Sequence, residues 1–193
     1  MMNWMMPVLE TERLIIRPFQ PEDRQWIASV LSRDDADANQ RYLEGSVAAG
    51  EYLASLDQPP YGDRAAVHKA DRRLIGAVGL VPLLMPFDQL PYFSQGRMPQ
   101  IPCRFTAEMG LYWEFDPAYR RQGYATEAAR ALIDYAFTRL NLRRIVANTD
   151  YDNTASQGVM RKLGMQLEHN PLPEPRWFQV VAVLENTTGE IWP

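Results

Sequence analysis

The chain has 193 residues, an ordinary globular composition, a formal net charge of −4 and a pI near 5.3. That length suits one domain with its own core, and the charge balance lacks the basic excess of nucleic-acid binders. The single cysteine, Cys103, excludes an intrachain disulfide and a cysteine-based metal site; His68 and His169 stand too far apart for a metal motif, and no apolar run reaches the ~18 residues of a membrane span.

In chain order, Met1–Pro7 is too short for a signal peptide and lacks its positive region, so cytoplasm is the expected location. Arg13–Phe19, rich in β-branched and apolar residues, reads as a first strand. Pro21 opens a helix with Glu22 and Asp23 in its first turn, and Trp26, Ile27, Val30 and Leu31 follow at helical spacing. The acidic run Asp34-Asp35-Ala36-Asp37 reads as the solvated start of a second helix over about Ala36–Leu56, with Gly45 and Gly50 inside it. Pro59-Pro60-Tyr61-Gly62 breaks the chain. Strands over about Ala65–Lys69 and Leu74–Val81 then flank the polar turn Asp71-Arg72-Arg73, as in an antiparallel hairpin. His68, inside the first of these strands, reads as structural.

Residues 82–106 carry Pro82, Pro86, Pro91, Pro99 and Pro102 and read as a long irregular connection. Its aromatics, Phe87, Tyr92, Phe93 and Phe105, favour an ordered flap that lines a core, a dimer contact or a substrate pocket. Glu108–Phe115 returns to strand, ended by Asp116-Pro117. The next helix is the clearest: Ala125, Ala128, Ala129, Leu132, Ile133, Ala136, Phe137 and Leu140 follow one face without a miss, and Asn141 ends it. Arg144–Asn148 reads as a strand. Asp152 or Asn153 caps a shorter helix through Leu163, which Gly164 stops, and Trp177–Leu184 is the last strand. This order implies a mixed α/β sheet with helices packed on it.

The chemistry concentrates where the strand ending at Phe115 meets the long helix, in Arg120-Arg121-Gln122-Gly123-Tyr124-Ala125-Thr126. Backbone N–H groups at a helix start have no partner within the helix, and the helix dipole adds partial positive charge there. Such a turn suits a diphosphate. Gly123 lacks a Cβ and lets a phosphate approach the backbone, and Ala125 is small.

These residues resemble a known family. Arg120-x-x-Gly123-x-Ala125 fits the Arg/Gln-x-x-Gly-x-Gly/Ala signature of the GNAT acetyltransferases. Gly123-Tyr124-Ala125-Thr126-Glu127-Ala128 is similar to the branch that contains the ribosomal-protein N-acetyltransferases RimJ and RimL. Asn153-Thr154-Ala155-Ser156 with Met160-Arg161-Lys162-Leu163-Gly164-Met165 matches that branch's second motif, and Leu9-Glu10-Thr11-Glu12-Arg13-Leu14-Ile15-Ile16-Arg17 is similar to its usual start. The resemblance covers nearly the whole chain. It implies one acetyltransferase domain over residues 8–187, with 82–106 as a long insertion between strands. The implied fold is α+β, a mixed, mostly antiparallel sheet that splays between the fourth and fifth expected strands.

The resemblance further implies acetyl-CoA as co-substrate, an amine as acceptor, no metal, and the pairing into homodimers often found in the family. The amides of Arg121–Thr126 would hold the diphosphate, with Arg120 and Arg121 offering side chains. The pantetheine arm would bond along Trp113, Glu114 and Phe115. Asn153 would contact the thiol end, and Ser156 could donate a hydrogen bond to the departing thiolate. Many relatives place a proton-donating Tyr seven residues after that Asn; here the position is Met160. Glu108 stands near the branch's usual Glu and would act as base, through water. An acyl-CoA-binding module without catalysis is the alternative. Neither a Gly-x-Gly-x-x-Gly nor a Gly-x-x-x-x-Gly-Lys-Ser/Thr run supports a dinucleotide or NTP enzyme.

Overall fold

The strand expected at Arg13–Phe19 forms over Leu14–Arg17 (β2), preceded by a short strand Leu9–Glu10 (β1). A computed structural model describes residues 7–31, 35–58, 61–97 and 103–187 of the chain. Met1–Met6, Asp34, Pro59, Pro60, Pro99 and Pro102, all used in the sequence reading, lie outside these. After β2 come a 3₁₀ turn Pro21–Asp23 and the helices Arg24–Val30 (α1) and Ala36–Ser55 (α2). Asp35 starts α2, its side chain accepting from the amides of Asp37 and Ala38. Strands Gly62–His68 (β3) and Leu74–Met85 (β4) follow, then a 3₁₀ turn Phe87–Gln89 and the short helix Pro91–Ser94 (α3). The chain continues through Thr106–Phe115 (β5), a 3₁₀ turn Pro117–Tyr119, Tyr124–Thr138 (α4), Arg144–Thr149 (β6) and Thr154–Lys162 (α5). Gln166–His169 (β7) and Val180–Glu185 (β8) close it.

Several boundaries differ from expectation, and three of the departures have a visible cause. β4 runs past Val81 to Met85, taking Pro82 with it. The strand alternates there, with Leu83 and Met85 turned toward apolar neighbours and Pro82 and Leu84 exposed, and Pro82 lies beyond Leu80, where pairing with β3 ends. β7 escapes a pattern search because Gln-Leu-Glu-His has little strand character; it becomes a strand by pairing Leu167 with Ala182. β8 begins at Val180 rather than Trp177, because Phe178 N–H and the Gln179 side chain are spent on turn bonds to the carbonyls of Pro175 and Arg176.

The chain divides into two compact units, and β4, β5 and α4 each pass from one to the other. The first unit holds the chain up to Val81 together with Tyr112–Tyr135, and its strand order is β1-β2-β3-β4-β5. Its ladders among β1 to β4 are antiparallel, with Ile16 opposite Ala66 and Ala65 opposite Ala77. One face carries Ala65, Val67, Leu74 and Ala77 against Phe19, Ile27, Val30, Leu31 and Leu43 of the α1–α2 side. Because strand side chains alternate, Leu14 and Ile16 turn to the opposite face, where both are fully buried.

The second unit holds Pro82–Leu111 and the chain from Ala136 on, with the order β4-β5-β6-β8-β7. β6 and β8 pair antiparallel along their whole length, and β7 adds to β8. β5 and β6 are parallel and share one pair, Gly110 with Val146. Met85, Phe87, Leu90, Val146, Phe178, Val181 and Val183 form its core, with Tyr92 and Phe93 packed against it. The aromatics of the expected flap therefore separate: Phe87 is core, whereas Phe105 is exposed. Among the described residues no helix is long and apolar enough to cross a membrane.

Two glycines predict opposite effects on stability. A Cβ on Gly76 would lie 2.5 Å from the Phe115 ring, so Gly76→Ala should destabilise by about 1–3 kcal/mol through overpacking. Gly45, inside α2 with nothing within 4 Å, should gain roughly 0.5–1 kcal/mol on Gly45→Ala. Denaturant unfolding of the two variants checks both signs.

Candidate active site

In the first unit β5 ends at a turn whose backbone is held by its own side chains. Asp116, almost fully buried, accepts from Ala118 N–H at 2.9 Å and thereby caps the 3₁₀ turn, while its other oxygen pairs with Arg73 Nη2 at 2.9 Å. The Arg73 guanidinium lies over the Trp26 ring at 4.7 Å. Asp116 N–H donates to Ile75 C=O at 2.9 Å, tying the end of β5 to the start of β4. Arg120 Nε donates to Phe115 C=O at 2.9 Å, and Gln122 Nε2 to Ala118 C=O at 3.0 Å. The exposed Arg120 thus staples the strand end.

Arg121 has φ 60° and Gly123 has φ 89°. Left-handed residues next to right-handed ones turn successive N–H groups toward a common side, a concavity that takes anions. The Gly123 value is one that L side chains rarely adopt, so the glycine is required by the backbone itself. The space where its Cβ would stand is bounded by Arg13 Nη2 at 3.4 Å. The first hydrogen bond of α4 runs from Glu127 N–H to Gly123 C=O at 3.0 Å. The amides of Tyr124, Ala125 and Thr126 have no acceptor within the helix. Gln122 and Gly123 are exposed and Ala125 and Thr126 half-buried, so this helix start is open to a ligand.

Two further contacts fix the head of α4. Glu127 accepts from the Thr11 hydroxyl at 2.5 Å, from Arg13 N–H at 2.9 Å and from Arg13 Nε at 2.7 Å. Tyr124 meets His68 Nε2 through its hydroxyl at 3.2 Å, and His68 Nδ1 lies 2.8 Å from Asp71. Tyr119 donates to the other Asp71 oxygen at 3.1 Å. His68, read as structural, links β3, the following turn and α4. Of the strand residues expected to meet a cofactor, Trp113 and Glu114 are half-buried and Phe115 is buried. Glu114 accepts from the Tyr112 hydroxyl at 2.7 Å.

In the second unit Asn153 caps α5, its Oδ1 accepting from Ser156 N–H at 3.1 Å. Asn153 is exposed and Ser156 half-buried, whereas Met160, one turn on, is fully buried and contributes only to packing. Glu108, at the start of β5, is engaged by Arg144 through both oxygens; the Arg144 Nε to Glu108 Oε2 distance is 2.8 Å. Arg144 also lies 3.6 Å from Glu185, which accepts from the Tyr92 hydroxyl, and its guanidinium lies 4.8 Å from the centre of the Phe93 ring. The Glu108 hydrogen bond is foremost in pushing the Arg144 pKa well up, so this cation stays charged. Among the described residues no group of three or more His, Cys, Asp or Glu is placed to hold a metal ion.

No local pattern in the sequence announces the Arg13–Glu127 pair. Both residues sat inside quoted motifs, but 114 positions separate them and no local periodicity connects them.

Comparison with known proteins shows the family. The family model described as "Acetyltransferase (GNAT) domain" matches residues 13–166, so the chain belongs to the GNAT acetyltransferases and is an N-acetyltransferase. It is 31% identical over 164 residues to YnaD of Bacillus subtilis, an uncharacterised N-acetyltransferase, with 83% of each chain covered. A segment of 52 residues, 27% of this chain and 28% of the relative, is 40% identical to the spermidine N(1)-acetyltransferase of Escherichia coli K12. The fold is similar to the ribosomal-protein-S5-alanine acetyltransferase of Vibrio fischeri, with a TM-score of 0.64 and 17% identity over 96% of this chain and 100% of that one.

The Glu127 contacts carry a pH signature. Burial pushes its carboxyl up, but the Thr11 hydroxyl and the N–H groups and charge of Arg13 outweigh this and hold it below the ordinary 4.5. A carboxyl depressed by folding contributes stability that is complete above its unfolded value and is lost as pH falls through the folded one. The acid limb of the Tm–pH curve below pH 4.5 should therefore flatten in Glu127→Gln, as followed by thermal melting from pH 6 to 3.

Proposed function

We propose that the protein transfers the acetyl group of acetyl-CoA to a weakly basic primary amine, such as a protein N-terminal α-amine, by direct attack. The supporting observation is the turn from Asp116 to Gly123. Its left-handed residues at Arg121 and Gly123 and the amides of Tyr124–Thr126, which have no partner within the helix, suit a diphosphate. In this reading the amides of Arg121 to Thr126 hold that group, and the backbone of Trp113–Phe115 lines the pantetheine arm. Asn153 and Ser156 keep the roles that the resemblance implies, contact with the thiol end and a hydroxyl for the leaving thiolate. Acetyl-CoA supplies the activated carbonyl, and holding both reactants provides much of the rate.

The choice of amine follows from the engagement of the candidate base Glu108. With Glu108 bound through both oxygens to Arg144, we give it a bracing role rather than that of base. An α-amine with pKa about 7.8 costs only ~1.1 kcal/mol to deprotonate at pH 7, whereas a lysine at about 10.4 costs ~4.6. An acceptor that ionises easily needs little help. The spermidine-acetylating relative marks polyamines as the class to compare, over the short segment that is shared.

Thiol release from acetyl-CoA, measured with N-terminal peptides, spermidine and free lysine at matched concentration, should favour the peptides. Preference for lysine or spermidine would count against the α-amine. Glu108→Gln should lower stability by about 1–3 kcal/mol through the lost charge-assisted bonds. It should leave the acid limb of the rate–pH profile in place, and a shift of that limb would restore Glu108 as base.

A further inference from the structure

The opening motif Leu9–Arg17 has no part in the steps above, yet its Arg13 reaches the turn at three consecutive residues. Nη1 donates to Gln122 C=O at 3.1 Å, Nη2 bounds the Cβ position of Gly123 at 3.4 Å, and the guanidinium lies over the Tyr124 ring at 4.1 Å. Its other edge grips Glu127, with Nε and Nη2 at 2.7 and 2.6 Å from Oε2. We propose that Arg13 is a positioning residue for the diphosphate half of acetyl-CoA, acting by fixing the Gln122–Gly123 peptide. This rests on the placement of the diphosphate proposed above.

The argument is geometric. In a trans peptide the C=O and N–H point in opposite directions. By holding the Gln122 carbonyl, Arg13 aims the Gly123 N–H away from itself. The other end of the same side chain fixes Glu127, whose N–H makes the first bond of α4 to Gly123 C=O. One planar fork therefore sets both the peptide before Gly123 and the helix turn after it. Only a guanidinium has donors spaced to do both. Arg13 is itself anchored, because its C=O accepts from Lys69 N–H at 2.9 Å and Lys69 Nζ donates to Thr11 C=O at 2.7 Å. With Glu127 balancing its charge, Arg13 acts by orientation, and the phosphates are met by the amides it aims.

The test is calorimetric binding of two probes, CoA and its diphosphate fragment adenosine 3′-phosphate 5′-diphosphate, well below the Tm of each variant. Arg13→Gln should weaken both by the same factor, about tenfold. Arg13→Lys, which keeps the charge but not the fork, should fall between it and wild type. Glu127→Gln, which releases the fork's other edge, should weaken both probes in the same direction and serves if the Arg13 variants fold poorly. Unchanged affinities with a lowered Tm would make Arg13 merely structural and overturn the proposal, as would a loss confined to CoA. Failure of the wild-type protein to bind CoA would instead overturn the diphosphate placement, and this proposal with it.

Discussion

The orientation of one peptide group, between Gln122 and Gly123, is the constraint on which the first unit's candidate site depends. A φ of 89° at Gly123 and of 60° at Arg121 are conformations a free chain leaves readily. They persist because surrounding groups over-determine them. Asp116 caps the preceding turn, Arg120 and Gln122 fold back onto backbone carbonyls, and Arg13 holds the carbonyl of Gln122. The left-handed turn is thus set by side chains from the residue before β2, the β3–β4 turn and the turn itself. In the proposed reading, a turn held this way needs little ordering when the diphosphate arrives, and preorganisation of this kind saves binding free energy.

In the second unit several ionisable groups hold one another. Glu108, Arg144, Glu185 and the Tyr92 hydroxyl form one connected set, with Phe93 against the guanidinium. Buried polar groups are stable only when mutually satisfied, and this set joins the beginnings of β5 and β6 to the end of β8 and to α3. A carboxylate that looks available in a linear motif is therefore already committed to the fold. Met160 is the complementary case: where many relatives place a hydroxyl, this chain buries a thioether completely.

Family membership and geometry bear on different levels of the function. The matched family model makes the chain an N-acetyltransferase, and a shared fold alone does not select an acceptor. In the proposed reading, the ionisation energy of the amine is what narrows the acceptor.

Local signals carried most of the element list. The apolar stripe of α4, the caps Asp35 and Asn153, and the hairpin around Asp71–Arg73 were legible because helix periodicity, capping and turn chemistry act within a few residues. The Gly123 motif was legible for the same reason, as was the family. By contrast, β7 exists only because β8 offers it a ladder, β4 continues through Pro82 beyond the stretch that pairs with β3, and the partner of Glu108 lies 36 residues away. The sequence by itself therefore determined the longer helices and the glycine turn before α4. Tertiary structure decided which side chains hold that turn in place and which carboxylate is taken up by an ion pair, because those contacts join residues with no periodic or local relation along the chain.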